Sequence, residues 1–406
     1  MDVATGNLLV SVKGLALVGV KTKIQTGAFY NSVAISSIGS TTRLGRGWGL
    51  DLTPSINLKT NTDSSVTYTG SGGLSRVFPL KSGSTTSYDA PDGITVDLSK
   101  TSSGWTMTDH QSQAKLKFNT AGELISQEDN DSNKTLVTDT GAGALFRNLS
   151  IVAPAGPTTA RTITVATDAT AKTTMAQVTN TASRNVSFTR TNGNMTSFMD
   201  PLGRTTTFGY TAAGLLNSIS APGNVVTSFG YDTSSRVTSI TQLENATGGP
   251  GSSVTRLAYV SSTETDVAGP DTDQNYAATA VPHATYSNIN SDKLVGKVTD
   301  AEGRQQSRTY NAATQGAATA SAGTTEQSTV TNTYGANGGE SLTSSKTNGG
   351  QTATTDYANP AGPSQYAPSG GTDSGNVAQT YSYSGTGNQL SRTGAGGPRP
   401  RPSTTT

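Results

Sequence analysis

The sequence predicts an all-β chain built as a repeat array of β-hairpins. Three observations carry this: an internal repeat, a polar and β-branched composition, and strand–turn–strand patterning inside each unit. The repeat is the strongest. Laying residues 200–220 over 221–241 aligns Pro201 with Pro222, Phe208 with Phe229, Gly209 with Gly230, Tyr210 with Tyr231, Ser218 with Ser239 and Ile219 with Ile240, a constant shift of 21 residues. Hydrophobic residues make up 32% and charged residues 14% of the 406, against about 45–50% and about 25% in ordinary globular chains. Thr, Ser, Gly, Ala and Asn fill the difference, which suits short strands with one wet face and frequent turns.

Within one unit, Thr205–Tyr210 alternates in the β manner, with Thr206, Phe208 and Tyr210 on one face. Thr211–Gly214 supplies a turn, Leu215–Ser220 the return strand, and Ala221–Asn224 a second turn containing Pro and Gly. Two strands cannot bury their apolar face alone, so units must stack, with Phe208/Phe229 and Tyr210/Tyr231 expected to form aromatic ladders. Looser copies run through Lys117–Ser126, Phe188–Phe198, Asp300–Arg304 with Tyr310-Asn311, and Tyr381–Leu390. The expected organisation is a β-rich N-terminal region over 1–110, a hairpin array over 111–393, and a low-complexity, disordered tail over 394–406. The packing residues of this reading are Phe208, Tyr210, Ile219, Phe229, Tyr231 and Ile240, with Gly203 and Gly223 in the turns.

The segment Phe229-Gly230-Tyr231-Asp232-Thr233-Ser234-Ser235-Arg236-Val237-Thr238-Ser239-Ile240 resembles the YD repeat. Asp2–Leu8, Phe29-Tyr30-Asn31-Ser32 and Leu44-Gly45-Arg46-Gly47-Trp48-Gly49-Leu50 occur in the order seen where an Rhs-type shell begins. The resemblance implies a sheet strip spiralling into part of a hollow YD-repeat shell. It also implies a toxin cargo polypeptide as partner, here missing from the chain, and a secreted or cell-surface location. Shells of that family are usually longer and end in an autoproteolytic core region. The Gly396–Thr406 tail is unlike the repeats, so the expectation is a truncated or frameshifted reading frame. Trp48 and the glycine-rich turn around it read as packing elements.

Composition and motifs exclude several function classes. Twenty-eight basic and 27 acidic residues give a net charge of +1, so no field for nucleic acid or anionic membrane is expected. Cysteine is absent, which removes disulfides and thiol catalysis. No run approaches the ~20 apolar residues of a membrane span, and no signal peptide is legible at Met1-Asp2. His110 and His283 are the two histidines and read as lone surface residues, which with no cysteine makes zinc improbable. Asp129/Asp131 and Asp271/Asp273 have calcium-loop spacing but lack its glycine and closing Glu, so calcium there stays open. Glu123, Glu128, Glu244, Glu264, Glu302, Glu326 and Glu340 supply carboxylates that nothing pairs on one face for glycoside hydrolysis.

The expectation is therefore a structural protein, not an enzyme, with no catalytic residue, cofactor or metal and no stable oligomer. The alternative is an adhesin binding cell-wall polysaccharide through the sheet face. Aromatic troughs on the outer face would favour it, and inward-facing aromatics would favour encapsulation. A third reading, a polysaccharide-active enzyme, requires converging carboxylates in a cleft.

Overall fold

In the computed structural model the described residues are 1–18, 23–35, 43–50, 56–70, 74–91, 94–139, 149–154, 161–168, 172–178, 184–243, 251–291, 293–310, 315–321, 323–334, 341–394 and 397–400. They form an antiparallel strip in which each strand pairs with the next, from Ser87–Tyr88 through to Gly397–Pro400. The helical segments described are two 3-10 turns, Val33–Ile35 and Ala278–Ala280. Of the segment read as a tail, Gly397–Pro400 pairs as a strand with Gln389–Gly394.

Two small sheets precede the strip. Leu9–Val18, Lys23–Asn31 and Trp48–Leu50 form the first, and Asn57–Thr60, Val66–Thr69 and Ser75–Phe78 the second. Each covers part of one face of the strip, here called the inner face. The second packs Ile56, Leu58, Val66 and Phe78 against Leu98, Trp105, Met107, Phe118 and Leu124. The first packs Leu8, Leu15, Tyr30, Trp48 and Leu50 against Ile151, Ile163, Met175, Phe188, Phe208, Leu216 and Leu257. Burial alternates along the strands as the pleat demands, for example at Ile163 and Val165 in Thr162–Thr167. Each fully buried aliphatic or aromatic side chain contributes about 1.5–3 kcal/mol, so these covered strands carry the apolar core.

Beyond Ile289 no hydrophobic residue among those described is buried. The strands there place mostly Ala, Gln, Ser, Asn, Val and Tyr, with Arg308, Lys346 and Arg392, on the inner face and mostly Thr and Ser on the other. Outer hydroxyls meet across strands at Thr333/Thr343 (2.6 Å), Thr347/Thr352 (2.9 Å), Thr354/Thr372 (3.0 Å) and Ser382/Ser391 (2.7 Å). The expected wet face is thus a hydroxyl lattice.

The strip also returns upon itself. Asn130 Nδ2 donates to the Thr386 carbonyl (3.0 Å) and to Asn388 Oδ1 (3.1 Å), and Asn388 Nδ2 donates to Asp131 Oδ1 (3.0 Å). His110 stacks on Tyr366 with ring centroids 4.3 Å apart. All these partners lie 256–258 residues apart in sequence. A twisted strip that meets itself edge to edge at that separation is a spiral.

Candidate functional site

The recurring chemistry of the chain lies in its turns. In Asp200–Arg204 the Asp200 Oδ1 accepts from the backbone N–H groups of Leu202 (2.8 Å) and Arg204 (3.0 Å), and Oδ2 accepts from Arg204 Nε (2.7 Å). Asp232 holds Ser234, Arg236 and Arg236 Nε in the same way, and Asp300 holds Glu302, Arg304 and Arg304 Nε. The fourth residue of each turn has a left-handed backbone, Gly203 at φ 78°, Ser235 at 63° and Gly303 at 84°. A short carboxylate satisfying two turn N–H groups is the local reason for Asp at the first position. Those hydrogen bonds and the neighbouring arginine outweigh desolvation and hold Asp200 and Asp232 below the ordinary carboxylate range.

The repeat tyrosine just before such a turn joins one unit to the previous one. Tyr210 donates its hydroxyl to the Met195 carbonyl (2.5 Å), Tyr231 to Leu216 (2.6 Å), Tyr310 to Val295 (2.7 Å) and Tyr383 to Pro368 (2.7 Å), each 15 residues back. Tyr259 reaches Val237 (2.6 Å) across a longer unit. The register shifts at each of these tyrosines, as between Gly209 and Tyr210 and, around Tyr259, between Ala258 and Ser261, and this bulge turns the ring toward the preceding hairpin. The units are thus joined by hydroxyl-to-carbonyl rungs rather than by the stacked Phe208/Phe229 and Tyr210/Tyr231 rings expected from the repeat, because each bulge aims the hydroxyl at a carbonyl of the preceding hairpin. Phe208 packs edge-on against Trp48 at 5.1 Å. Phe208, Tyr210, Ile219, Phe229, Tyr231 and Ile240 all belong to or pack against one core cluster. Gly203 and Gly223 occupy turns at positive φ.

Trp48 anchors the first sheet to the ladder. It is fully buried, and its Nε1 donates to the Tyr210 hydroxyl (2.9 Å). Tyr30 Oη accepts from the Leu216 N–H (3.0 Å), and the Gly6 carbonyl accepts from Val237 N–H (3.0 Å). Both N–H groups sit at bulges, where the ladder leaves a donor spare. Burial pushes the Tyr30 hydroxyl up to about 12, and raises Tyr210 and Tyr231 further above their ordinary value. Sequence reasoning singled out Tyr231 and Trp48 but could not pair them with carbonyls 15 residues back or with Tyr210.

The candidate site residues are scattered. His110 is buried, with Nε2 3.1 Å from Asp97, on the spiral seam. His283 lies 3.4 Å from the buried Asp266, which also accepts from Thr285 Oγ1 (2.8 Å). Neither histidine is the lone surface residue expected, because strand pairing carries each beside an aspartate distant in sequence. Asp129 caps its own turn by accepting from Asp131 and Asn133 N–H, and Asp131 accepts from Asn388. Asp273 accepts from the N–H and the amide of Asn275. Among the described residues no three His, Cys, Asp or Glu side chains are grouped to hold a metal ion. Glu128 is buried between Lys117 (2.7 Å) and Lys134 (3.3 Å). Burial raises its pKa, but the two lysines overcome that and hold it low. Glu244 and Glu340, with Asn311, lie outside the described residues. A cleft of about 370 Å³ is lined by Asn57, Lys59, Trp105 and Glu123, with Glu123 its one carboxylate among the described residues. A pair of carboxylates is needed for ordinary glycoside hydrolysis.

The RHS Repeat family model matches residues 191–225, which hold the Asp200 turn, Tyr210 and the bulge at Leu216. No curated protein matches. Among solved structures, the crystal structure of TcdB2-TccC3-Cdc42 is similar with TM-score 0.36 and 11% identity, over 82% of this chain and 23% of that one. The Photorhabdus luminescens Tc holotoxin pore gives TM-score 0.35 and 11% identity, over 96% and 22%. The crystal structure of TcdB2-TccC3 gives 0.35 and 11%, over 82% and 24%. The chain spans about a quarter of the length of these proteins. The chain thus carries an RHS repeat at residues 191–225, and the turn-and-tyrosine geometry of that segment recurs on its C-terminal side at Tyr231-Asp232 and at Asp300 with Tyr310.

Proposed function

We propose that the chain is a wall segment of a YD-repeat shell, a non-enzymatic strip that encloses a polypeptide cargo in a secreted system. The observation that carries this is the seam, where Asn130, Asp131 and His110 meet Thr386, Asn388 and Tyr366 after one circuit of the strip. A strip stapled to itself in this way surrounds a volume, whereas a flat sheet does not. The aromatic residues support enclosure over polysaccharide binding: Trp48 is fully buried, and the repeat aromatics Phe208, Tyr210, Phe229 and Tyr231 turn to the covered inner face rather than to an outer trough. The cargo in this reading is a toxin polypeptide, as the resemblance to Rhs-type shells implies.

The test appends an unstructured reporter carrying protease sites after Thr406 and follows its digestion. Slower cleavage than in the same reporter on an unrelated domain, by roughly tenfold or more, is the expected result. Equal rates would exclude enclosure.

A further inference from the structure

The inner face changes character along the strip. Following the register from the core residue Leu257 leads through Val267, Ala284, Tyr286, Val298 and Gln306 to Arg308, without leaving that face. Arg308 pairs with Ala318, Ala318 with Val330, Val330 with Lys346, and Lys346 with Ala353. Thr355, two residues on from Ala353, leads through Gly371 to Gln379, and Tyr381 pairs with Arg392. Three cations, Arg308, Lys346 and Arg392, therefore share the face that the N-terminal sheets cover farther back. All three are exposed. From Ala284 to Gly394 no described strand residue on this face is Asp or Glu, and Asp356 points to the opposite face through its pairing with Thr343. Arg392 rests on Gln379 Oε1 (2.6 Å) and over the Tyr381 ring, both uncharged partners.

We infer that this uncovered inner face is a docking surface for an acidic, extended polypeptide. Two features commit the occupant to protein. The face is continuous with one already covered by polypeptide, where bulge N–H groups bind a carbonyl and a tyrosine hydroxyl. Its cations are also sparse: Lys346 stands three strands from Arg308, about 14 Å, and Arg392 four strands farther on and four residues along, about 23 Å, at ordinary strand spacing and rise. Phosphates repeating every 3.4 Å along a duplex strand need a denser array. A chain crossing the strands obliquely at about 3.3 Å per residue meets these cations with carboxylates roughly four to seven residues apart. Tyr286, Tyr310, Tyr334 and Tyr383 supply intervening contact area. The inference rests on the wall reading for a natural occupant, but the charge pattern is a property of this sheet.

The probe is a fluorescent synthetic peptide with a glutamate every fifth residue in an alanine, serine and tyrosine background. It is expected to bind the full chain and to lose affinity by about tenfold or more in the combined Arg308→Gln, Lys346→Gln and Arg392→Gln variant, with unchanged thermal midpoint. Lys297→Gln on the outer face leaves binding intact, and raised salt weakens it. The inference fails if the acidic peptide does not bind, if the triple variant binds it equally, or if a lysine version binds as well. Tighter binding of single-stranded DNA would replace the polypeptide with nucleic acid. Loss of peptide binding with the appended reporter still protected would sink this inference alone. Peptide binding with an unprotected reporter would sink the wall reading alone.

Discussion

At the scale of single residues, stability follows from polar groups that the sheet could not satisfy by itself. Tyr231 occupies a largely buried site and ends on the Leu216 carbonyl. Tyr231→Phe keeps the ring and leaves that carbonyl unpaired, an expected loss of about 1–2 kcal/mol in a denaturant titration. Tyr231→Asp brings a charge into the same site and is expected to lose several kcal/mol. A loss near zero would remove Tyr231 from the ladder. The raised tyrosine pKa values also set a sign. Unfolded tyrosines ionise near 10 while Tyr30 is held up to about 12, with Tyr210 and Tyr231 above it. Their contribution is full below pH about 10 and is lost as pH rises toward the folded values. Site-resolved NMR of ring-labelled Tyr30, Tyr210 and Tyr231 should therefore show these three hydroxyls ionising only together with unfolding, above the ordinary tyrosine range. Independent titration near 10 would contradict the burial.

At the scale of the hairpin element, the carboxylate-capped turn and its left-handed fourth residue are the unit of repetition. Ser235 sits at φ 63° where Gly203 and Gly303 occupy the corresponding turns at 78° and 84°. Ser235→Gly is expected to be neutral or stabilising by up to about 1 kcal/mol, and Gly203→Ala to lose about 1 kcal/mol, read from thermal midpoints. No atom lies within 4 Å of a Cβ built on Gly203, so its loss would report backbone conformation alone. The hairpin of Glu128 makes a further case. Its folded pKa is depressed, so its contribution is present above the unfolded value near 4.3 and lost as pH falls through the folded one. The stability gap between the parent and Glu128→Gln should close on acidification, and a gap independent of pH would remove Lys117 and Lys134 as its partners. The hairpins were legible in sequence because turn chemistry is local: Asp, Gly and Tyr recur with their spacing intact. The bulge and the rung to a residue 15 positions back were not, since they depend on how one hairpin lies on another.

For the whole molecule, the seam decides whether the strip is a container. Tyr366→Ala removes the ring stacked on His110, and Asn388→Ala removes both amide bridges to Asn130 and Asp131. The pair of changes is expected to raise hydrogen exchange around 109–113 and 130–131 and to expand the particle in solution scattering, with strand content unchanged. Exchange that stays as slow as in the parent would mean the seam holds nothing together. Because the two sides of the seam are more than 250 residues apart, no local pattern in the sequence could show it.

The sequence by itself determined the hairpin, its turn residues, the packing face and the polar character of the other face, because period-2 alternation and turn preferences act over a few residues. Tertiary structure decided the rest. It chose which carbonyl each tyrosine reaches, set Trp48 on Tyr210, placed His110 and His283 beside Asp97 and Asp266, and left no buried hydrophobic side chain among the described residues beyond Ile289. Those outcomes depend on twist and curvature accumulated over many strands, a quantity that no single repeat contains.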